Sequence, residues 1–480
     1  MKWLKKVNNM CSIFGVITNG QPEREIIRND VGDLIKASIS RGRDGLGVRF
    51  THGDHSIHPQ RIVSVGKGTT QERLVKIERI ASRAGDIGSF TMIGNARAEP
   101  TTEWVVDKNE WDQQPYHMDG WTIVHNGTIA NDKDLRTYAL QTKIDSAAIV
   151  EQLAECTLSA DEMCLCNFNY LYSVFHEVIR KLKGSFAILA THDSFPGCVF
   201  AACNYRPIWI GKTQTGMYFA SQEDMLPTRA IKQMLKPYSC NVVTSTDVCS
   251  EVDLIPNKQT QRALVVASGG MDSTVAAQMC KSNGLDVTLI NFQYGCRAET
   301  NELYAIRKIA EVMGVPLIEF PIPIYDKKDS PLFDQDATIA GGEEGAEFAH
   351  EWVPARNLVM LSVATAYAEA NGFDYIVLGN NLEEAGAYPD NEPEFINRFN
   401  QVLPFAVGDG KRVEVLMPVG NLMKHEIVAT GLRLGAPLEH TWSCYRNGDL
   451  HCGTCGPCMM RRTAFNINNA QEVIKYESEE

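Results

Sequence analysis

The amino-acid sequence predicts two α/β domains on one chain, an α/β/β/α sandwich followed by a doubly wound parallel sheet. In residues 11–238, strand-like apolar runs bracket two helical stretches, and the run Ile13–Thr18 comes first. In residues 262–480, strands and helices alternate one by one, which is typical of a parallel sheet. Residues 239–261 are polar and irregular and include Pro256, so we assign them to a linker.

The predicted elements follow from the spacing of apolar residues. Strands are assigned to short apolar runs, and helices to apolar positions that recur every three to four residues. In the first domain the strands are Ile13–Thr18, Trp121–His125, Ser185–Ala190, Val199–Cys203 and Met217–Ala220, and the helices are Ser146–Glu155 and Tyr170–Lys183. In the second domain the predicted strands are Leu264–Ala267, Val287–Phe292 and Pro316–Phe320, and the predicted helices are Val275–Asn283 and Glu302–Met313. A glycine loop separates the first strand from the first helix.

The composition excludes several classes of protein. No apolar run approaches the roughly 20 residues that span a bilayer, and residues 1–10 lack the apolar core of a signal peptide. The fourteen cysteines lack the spacing of a disulfide framework, which fits a reducing compartment. We therefore expect a cytoplasmic protein without a membrane partner.

The negative charge of the chain is unevenly distributed. Residues 262–480 contain 17 Lys and Arg against 30 Asp and Glu, whereas residues 1–261 are neutral. A domain that grips a nucleic-acid backbone usually has a net basic footprint. We therefore expect small molecules as partners and no direct binding of nucleic acid, and we leave a homo-oligomer open.

Cys11 precedes the first predicted strand and is a candidate nucleophile. Cysteine attacks as a thiolate, so a base must be near, and an N-terminal cysteine carries its own in the α-amine, whose pKa is about 7.7–8.0. Ten residues precede Cys11. We predict that residues 1–10 are a removed leader or follow from a misassigned start, with translation beginning at Met10. The intact mass of the native protein tests this prediction.

Four short motifs follow Cys11 along the chain. They are Arg41-Gly42-Arg43-Asp44-Gly45-Leu46-Gly47, Gly94-Asn95-Ala96-Arg97-Ala98, His125-Asn126-Gly127 and Asp145-Ser146. In this order behind a cysteine, they make the first domain similar to the N-terminal-nucleophile (Ntn, class II) glutamine amidotransferases, although Asn95 stands where that family has histidine. The resemblance implies an Ntn α/β/β/α fold and the release of ammonia from glutamine.

The resemblance also implies a role for each site residue. Cys11 is the nucleophile, Arg97 holds the α-carboxylate of glutamine through its planar guanidinium, and Asp145 holds the α-ammonium. The Asn126 side chain and the Gly127 N–H stabilise the oxyanion of the tetrahedral intermediate. The alternatives are an ordinary turn at Asn126-Gly127 and a surface ion pair at Arg97.

The second domain opens on a glycine loop. Its residues are Ser268-Gly269-Gly270-Met271-Asp272-Ser273. Glycines let backbone N–H groups approach a phosphate, and the N-terminus of the next helix adds positive potential. The loop lacks the Gly-Lys-Ser/Thr of kinase P-loops and resembles the PP-loop of enzymes that split ATP into AMP and pyrophosphate. This resemblance implies that Ser268, Gly269, Gly270, Asp272 and Ser273 bind ATP with Mg²⁺; the alternative is an ordinary glycine turn.

Six further segments distinguish the second domain. They are Phe292-Gln293-Tyr294-Gly295, Val353-Pro354-Ala355-Arg356-Asn357, Tyr388-Pro389-Asp390, Lys424-His425-Glu426-Ile427, Thr441-Trp442-Ser443-Cys444-Tyr445 and Cys452-Gly453-Thr454-Cys455-Gly456-Pro457-Cys458. On these segments, the domain resembles the 7-cyano-7-deazaguanine synthase (QueC) family. The resemblance implies conversion of 7-carboxy-7-deazaguanine to the nitrile through an adenylate and an amide, with ammonia as the nitrogen donor.

Four cysteines near the C-terminus are candidate metal ligands. Cys444, Cys452, Cys455 and Cys458 suit a tetrahedral Zn²⁺ site without an open position, so the zinc is expected to be structural. An iron–sulfur cluster is the rival, because Cys-x2-Cys-x2-Cys also occurs in ferredoxins. The resemblance favours zinc.

Four residues are candidates for contact with the substrate. Arg356 and Lys424 are expected to neutralise phosphate or carboxylate charge, and the alternative for both is a surface ion pair. Tyr388 and Asp390 are expected to face the deazaguanine, because a carboxylate is a natural partner for the N1–H and amino groups of the base. The chain departs from the family at Cys296-Arg297-Ala298, where the family has Gln-Arg-His.

Glutaminase–QueC fusions form a group linked to archaeosine, whose 7-substituent is a formamidine, a nitrile plus ammonia. We therefore predict glutamine-dependent amidation that yields 7-formamidino-7-deazaguanine. We leave open that the same pocket also forms the nitrile in an ATP-dependent step. The alternative is a glutamine-dependent 7-cyano-7-deazaguanine synthase. An asparagine-synthetase-like enzyme shares the layout but lacks the four cysteines. A non-catalytic deazaguanine-binding module would tolerate Cys11→Ala.

Overall fold

The computed structural model describes residues 11–20, 23–42, 44–52, 60–65, 70–87, 89–98, 109–158, 167–255, 258–334, 336–337, 351–385, 388–408, 411–472 and 474–477. The chain divides into two compact units between residues 256 and 257. The predicted leader or misassigned start, residues 1–10, lies outside the described residues.

The first unit contains thirteen strands among its described residues. They are β1 Ser12–Thr18, β2 Gly45–Thr51, β3 Gln60–Val65, β4 Thr91–Arg97, β5 Tyr116–Met118, β6 Trp121–Ile129, β7 Gly184–His192, β8 Cys198–Cys203, β9 Trp209–Lys212, β10 Gly216–Ala220, β11 Ile231–Met234, β12 Ser239–Thr244 and β13 Val248–Asp253. The helices are α1 Arg24–Arg41, α2 Thr70–Ile87, α3 Asp132–Leu135, α4 Ala147–Leu158 and α5 Phe168–Lys181.

Two sheets form the centre of this unit. One has the order β11-β9-β10-β1-β4-β2-β3 and the other β13-β12-β8-β7-β6-β5. Strand β1 is buried on both faces: Ile13 and Ile17 enter the core between the sheets, whereas Phe14 and Val16 enter the core beneath α1 and α2. Alternate residues of a strand point to opposite faces. Since α4 and α5 cover the second sheet, the predicted α/β/β/α sandwich is confirmed.

The predicted elements of the first domain are all present, and β6 continues past its predicted end. Most of the predicted linker, residues 239–261, belongs instead to the first unit. Its strands β12 and β13 form the edge of the second sheet. Strand β12 pairs with β8, with Cys240 opposite Ala202. The side chains of Cys240 and Val242 enter the core beneath α4 and α5. An apolar run this short, flanked by polar residues, gains its strand character from the neighbouring strand rather than from its own sequence.

The second unit is built on a five-stranded sheet. Its strands are β14 Arg262–Val266, β15 Asp286–Gln293, β16 Leu317–Pro321, β17 Tyr375–Val377 and β18 Glu414–Leu416. Its helices are α6 Met271–Ser282, α7 Glu299–Met313, α8 Arg356–Asn371, α9 Leu382–Ala385, α10 Pro393–Ala406, α11 Lys424–Leu434 and α12 Gly456–Ile467.

All strand pairs of this sheet are parallel, in the order β16-β15-β14-β17-β18. Helices α6, α7, α11 and α12 cover one face and α8 and α10 the other. Val265 points into the first of these cores and Leu264 into the second. The predicted doubly wound sheet is therefore confirmed. Strand order reverses beside β14, and in such sheets this is where the carboxyl ends of the strands leave a crevice for ligands.

Among the described residues, no helix has both the length and the apolar character needed to cross a bilayer.

Candidate functional site

Cys11 lies directly before β1, at the end of the first sheet where β4 finishes. Its Sγ atom lies 3.4 Å from the carbonyl oxygen and 3.5 Å from the amide nitrogen of Ala98. In the ladder between β1 and β4, Ser12 pairs with Ala96 and Ile13 with Asn95. The sheet therefore places the candidate nucleophile beside the residue that follows Arg97.

Arg41, at the last position of α1, is a site residue that the sequence analysis left without a role. Its side chain is buried, and its charge interacts with those of Asp224 and Cys11. Burial lowers the pKa of the Arg41 guanidinium, while Asp224 and Cys11 raise it. A cation at this position favours the thiolate form of Cys11.

The predicted oxyanion residues occupy strand β6. Asn126 is buried, and Gly127 has a φ of +151°. A Cβ atom at Gly127 would lie 1.9 Å from the Ser185 carbonyl oxygen and 2.8 Å from His125 Nε2. Only glycine fits there, so the alternative of an ordinary turn at this motif does not hold. The motif is a constrained part of a central strand.

Asn95, on β4, connects that strand to β6, which carries the predicted oxyanion residues. Its Nδ2 atom donates to the carbonyl oxygen of His125 at 3.3 Å. His125 Nδ1 lies 2.8 Å from Ser146 Oγ, and burial lowers the pKa of this imidazole, which keeps it neutral near pH 7. Where the related family has histidine, the amide of Asn95 thus holds the segment that carries Asn126.

The two predicted glutamine-binding residues lie around one buried tyrosine. Arg97 Nη1 donates to the Asp112 carbonyl oxygen at 3.0 Å, and Asp145 Oδ2 accepts from the Ile129 N–H at 2.7 Å. Burial raises the pKa of Tyr116, and the charges of Arg97, Asp112 and Asp145 act on the same hydroxyl. Arg97 therefore lies among partly buried polar groups, and its binding of glutamine stays a prediction.

A buried ion pair that the sequence analysis missed supports this arrangement. The carboxylate of Glu151 accepts from Arg136 Nε at 2.9 Å, and both side chains are almost fully buried. Arg136 Nη2 donates to the Thr142 carbonyl oxygen at 2.8 Å, and Thr142 Oγ1 donates to Asp112 Oδ1 at 2.7 Å. Because Asp112 also accepts from Arg97, the network extends from α4 to the predicted carboxylate-binding residue.

We expect Arg136→Met to destabilise the first unit by about 3–5 kcal/mol, because it leaves the Glu151 carboxylate buried without a cation. Urea unfolding followed by tryptophan fluorescence measures this change. Glutamine hydrolysis should also show a raised KM, since the loop that carries Asp145 loses its support. The matched control is Arg180→Met on the exposed face of α5, which should change stability by less than about 0.5 kcal/mol. Equal effects of the two substitutions would contradict the role of the buried pair.

The glycine loop of the second unit joins β14 to α6. Gly269 has a φ of +93°, and a Cβ atom there would lie 2.7 Å from the Glu302 carbonyl oxygen. The Gly270 N–H donates to Ser268 Oγ at 3.2 Å, and Thr274 Oγ1 donates to the Gly270 carbonyl oxygen at 2.7 Å. The loop therefore packs tightly against α7 and is more constrained than an ordinary glycine turn.

Asp272 and Lys424 form an ion pair at the start of α6. Lys424 Nζ lies 2.6 Å from Asp272 Oδ2, and the two side chains are 10% and 19% exposed. Asn381 Nδ2, on the segment after β17, donates to the same oxygen at 3.3 Å. Lys424 is thus in an ion pair, as the alternative supposed, but this pair is mostly buried at the predicted phosphate loop and does not lie on the surface.

Arg356 and Asp390 lie on the other side of the crevice. Arg356 Nη1 donates to Tyr294 Oη at 3.4 Å. Asp390 Oδ2 accepts from the Asn357 N–H at 2.9 Å, so one oxygen of this carboxylate caps helix α8. The ring of Tyr388 stacks on that of Trp352, with centroids 6.0 Å apart. Asp390 therefore has a structural role beside the predicted contact with the base, which stays a prediction.

The four C-terminal cysteines are brought together as predicted. The sulfur atoms of Cys444, Cys452, Cys455 and Cys458 all lie within 4.8 Å of one another and are buried. Tetrahedral Zn–S bonds of 2.3 Å separate sulfur atoms by about 3.8 Å, so the cluster has the size of a metal site. Backbone N–H groups of Arg446 and Cys452 donate to Cys444 Sγ, each at 3.4 Å. Such bonds stabilise thiolate ligands.

The cysteine cluster is tied to the glycine loop. The Trp442 N–H donates to the Gly269 carbonyl oxygen at 2.9 Å, two residues before Cys444. Arg461, which is fully buried on α12, donates to Thr441 Oγ1 and, at 2.9 Å, to the Leu438 carbonyl oxygen. The segment that carries the cysteine cluster is thus hydrogen-bonded to the predicted phosphate loop.

Comparison with known proteins assigns both units. Residues 262–469 match the family described as queuosine biosynthesis protein QueC, and residues 101–228 match the family described as glutamine amidotransferase domain. Together with the fold, these matches define a two-part enzyme that hydrolyses glutamine and has an ATP-dependent, ligase-type activity.

Relatives match over their full length. The 7-cyano-7-deazaguanine synthase of Saccharolobus solfataricus is 40% identical over 98% of this chain and 100% of its own, and that of Sulfolobus acidocaldarius is 41% identical over the same shares. The chain belongs to the 7-cyano-7-deazaguanine synthase family. Among solved structures, a glutamine phosphoribosylpyrophosphate amidotransferase from B. subtilis complexed with ADP and GMP is 13% identical, covers 93% of this chain and 96% of its own, and has a TM-score of 0.36.

Proposed function

We propose that this enzyme uses ammonia from glutamine to amidate the 7-substituent of a 7-deazaguanine, forming the nitrile in an ATP-dependent step and then the formamidine. The observation that carries the proposal is that each of the two units contains the residues predicted for one half-reaction. Cys11 lies against the end of β4, and the buried pair of Asp272 and Lys424 lies at the glycine loop. The full-length similarity to 7-cyano-7-deazaguanine synthases supports the choice of substrate.

In the glutaminase half, the Cys11 thiolate attacks the carboxamide of glutamine, and the oxyanion forms against Asn126 and Gly127. Arg97 and Asp145 hold the two charged ends of the amino acid. The thioester that remains after ammonia leaves is then hydrolysed. The neutral imidazole of His125 lies beside this site, held by Ser146; it orients the motif and carries no charge that would repel Arg97.

In the ATP half, we propose that Ser268, Gly269, Gly270, Asp272 and Ser273 bind the phosphates of ATP. The Asp272 carboxylate, which Lys424 partly neutralises, fits an oxygen ligand for Mg²⁺, and the bound cation would offset the charge of the phosphates. The four-cysteine cluster is proposed to hold zinc, since four buried thiols without an open position suit a structural ion.

The acceptor is proposed to be a free base or a small nucleoside. The second unit carries excess negative charge, which disfavours a polynucleotide. A carboxylate becomes an adenylate, ammonia displaces AMP to give the amide, and a second ATP drives loss of oxygen to the nitrile. Addition of another ammonia to the nitrile gives the formamidine and needs no leaving group.

A second candidate function is that the reaction ends at the nitrile. The names of the full-length relatives favour it. Glutamine labelled with ¹⁵N at its amide distinguishes the two products, with the 7-carboxy base and ATP as co-substrates. We expect a formamidine with two labelled nitrogens by mass spectrometry. A nitrile with one labelled nitrogen as the final product would establish the second candidate, and hydrolysis of glutamine without either product would overturn both.

A further inference from the structure

A cluster of four polar side chains lies beside the glycine loop. Cys296 Sγ lies 3.6 Å from Glu302 Oε2, and Arg356 Nη1 lies 3.4 Å from Tyr294 Oη. The guanidinium of Arg356 also acts electrostatically on Glu302. We call these four residues the crevice cluster: Tyr294, Cys296, Glu302 and Arg356. Tyr294 and Cys296 directly follow the carboxyl end of β15.

Glu302 is the member of the crevice cluster whose backbone packs against the phosphate loop. Its backbone carbonyl is the atom that a Cβ at Gly269 would meet at 2.7 Å. Its side chain points back to Cys296, one of the two residues at which the segment Cys296-Arg297-Ala298 differs from the Gln-Arg-His of the family. Glu302 is thus placed between the loop that is proposed to hold ATP and Arg356, which is expected to neutralise phosphate or carboxylate charge.

The environment of Glu302 suits a proton acceptor. Burial raises the pKa of its carboxyl to about 7, although Arg356 lowers it and Glu299 raises it further. Burial also raises the pKa of Cys296 and of Tyr294, so both stay protonated and the thiol donates to the carboxylate. The charged groups that act on Glu302 are Arg356 and Glu299. A carboxyl that titrates near neutral pH can take a proton and release it again.

We propose that Glu302 is a catalytic base for the conversion of the carboxamide to the nitrile. This inference rests on the proposed function. The amide oxygen attacks the α-phosphorus of ATP, and the bond to pyrophosphate breaks while one N–H proton passes to Glu302. The C–O bond to AMP then breaks as the nitrile forms, and the second N–H proton leaves. The sum is carboxamide plus ATP giving nitrile, AMP, pyrophosphate and two protons.

The preceding step provides an internal control. Adenylation of the 7-carboxy base by ATP moves no proton of the substrate, because the acceptor is already a carboxylate. Glu302→Gln should therefore lower the rate of nitrile formation from the 7-carboxamide base by roughly 10²-fold or more. Exchange of labelled pyrophosphate into ATP, supported by the 7-carboxy base, should stay within about threefold of the unmodified enzyme. General acid–base catalysis contributes to the first reaction and not to the second.

The pH profile gives a second readout. Nitrile formation by the unmodified enzyme should rise as the pH increases through about 7, where the Glu302 carboxyl loses its proton. Glu302→Gln should lose this inflection, and Glu302→Asp should recover part of the rate. The matched control is Glu311→Gln, on the exposed end of the same helix in an ion pair with Lys308, which should leave both reactions unchanged.

The possible results distinguish a failure of the inference on Glu302 from a failure of the proposed function. Loss of both reactions in Glu302→Gln would show that Glu302 only supports the glycine loop, and retention of both would show that it has no part in the reaction; either result overturns the inference. If the unmodified enzyme shows no pyrophosphate exchange with the 7-carboxy base, the proposed function itself fails.

Discussion

Substitution of Cys11 by alanine should lower glutamine-dependent product formation by at least about 10⁴-fold, because the thiolate is the only nucleophile proposed for the carboxamide of glutamine. Activity with an ammonium salt should be retained, because the second unit consumes ammonia from any source. Product formation is measured with each nitrogen donor in turn, at saturating ATP and acceptor.

The control for this experiment is Cys249→Ala, which removes an exposed cysteine of β13 in the same unit. It should leave both activities unchanged. Full glutamine-dependent activity in Cys11→Ala would contradict the nucleophile assignment and favour a non-catalytic role for the first unit. Loss of the ammonium-dependent activity together with the glutamine-dependent one would mean that the substitution damages more than the glutaminase.

Removal of the metal from the four-cysteine cluster should abolish ATP–pyrophosphate exchange while glutamine hydrolysis continues. Small structural zinc sites contribute on the order of 10–16 kcal/mol to folding. In this chain the segment that carries Cys444 also donates the Trp442 N–H to Gly269. Cys458→Ala, at a fully buried ligand position, should therefore lose the metal and disorder the glycine loop.

Metal content by elemental mass spectrometry and pyrophosphate exchange are measured on the same preparation. One zinc per chain in a colourless protein is expected, and iron with visible absorption would instead indicate an iron–sulfur cluster. Cys280→Ala, a buried cysteine of α6 outside the cluster, is the control and should keep its metal and its exchange activity. A metal-free protein with full exchange activity would contradict the structural role of the site.

Much of the fold could be predicted because its strands are buried on both faces. Runs such as Leu264–Ala267 are continuously apolar, and the glycine loop that follows marks the strand-to-helix turn. Strands β2 and β4 were missed because Gly45, Gly47 and Asn95 interrupt their apolar pattern. A Cβ atom at Gly47 would lie 1.8 Å from the Gln114 carbonyl oxygen, so this glycine serves close packing at the cost of strand propensity.

Site residues could be predicted from the sequence when the chemistry requires their residue type and they belong to a short motif. The nucleophile, the glycine loop and the cysteine ligands belong to this group. Residues that act by position were not visible in the sequence. Glu151 is one of two acidic residues on the otherwise apolar α4, and Glu302 is one of three on α7, so nothing in their local sequence distinguishes them from surface residues.

The sequence by itself determined that this chain joins two α/β domains and where the candidate nucleophile, phosphate loop and cysteine ligands stand, because these depend on local periodicity and on residue chemistry. Only the tertiary structure decided that Asp272 meets Lys424 across 152 positions, that Trp442 holds Gly269, and that the half-buried Glu302 lies beside the phosphate loop. These properties arise from contacts between distant segments. A buried carboxyl owes its proton affinity to the surroundings that the fold creates around it.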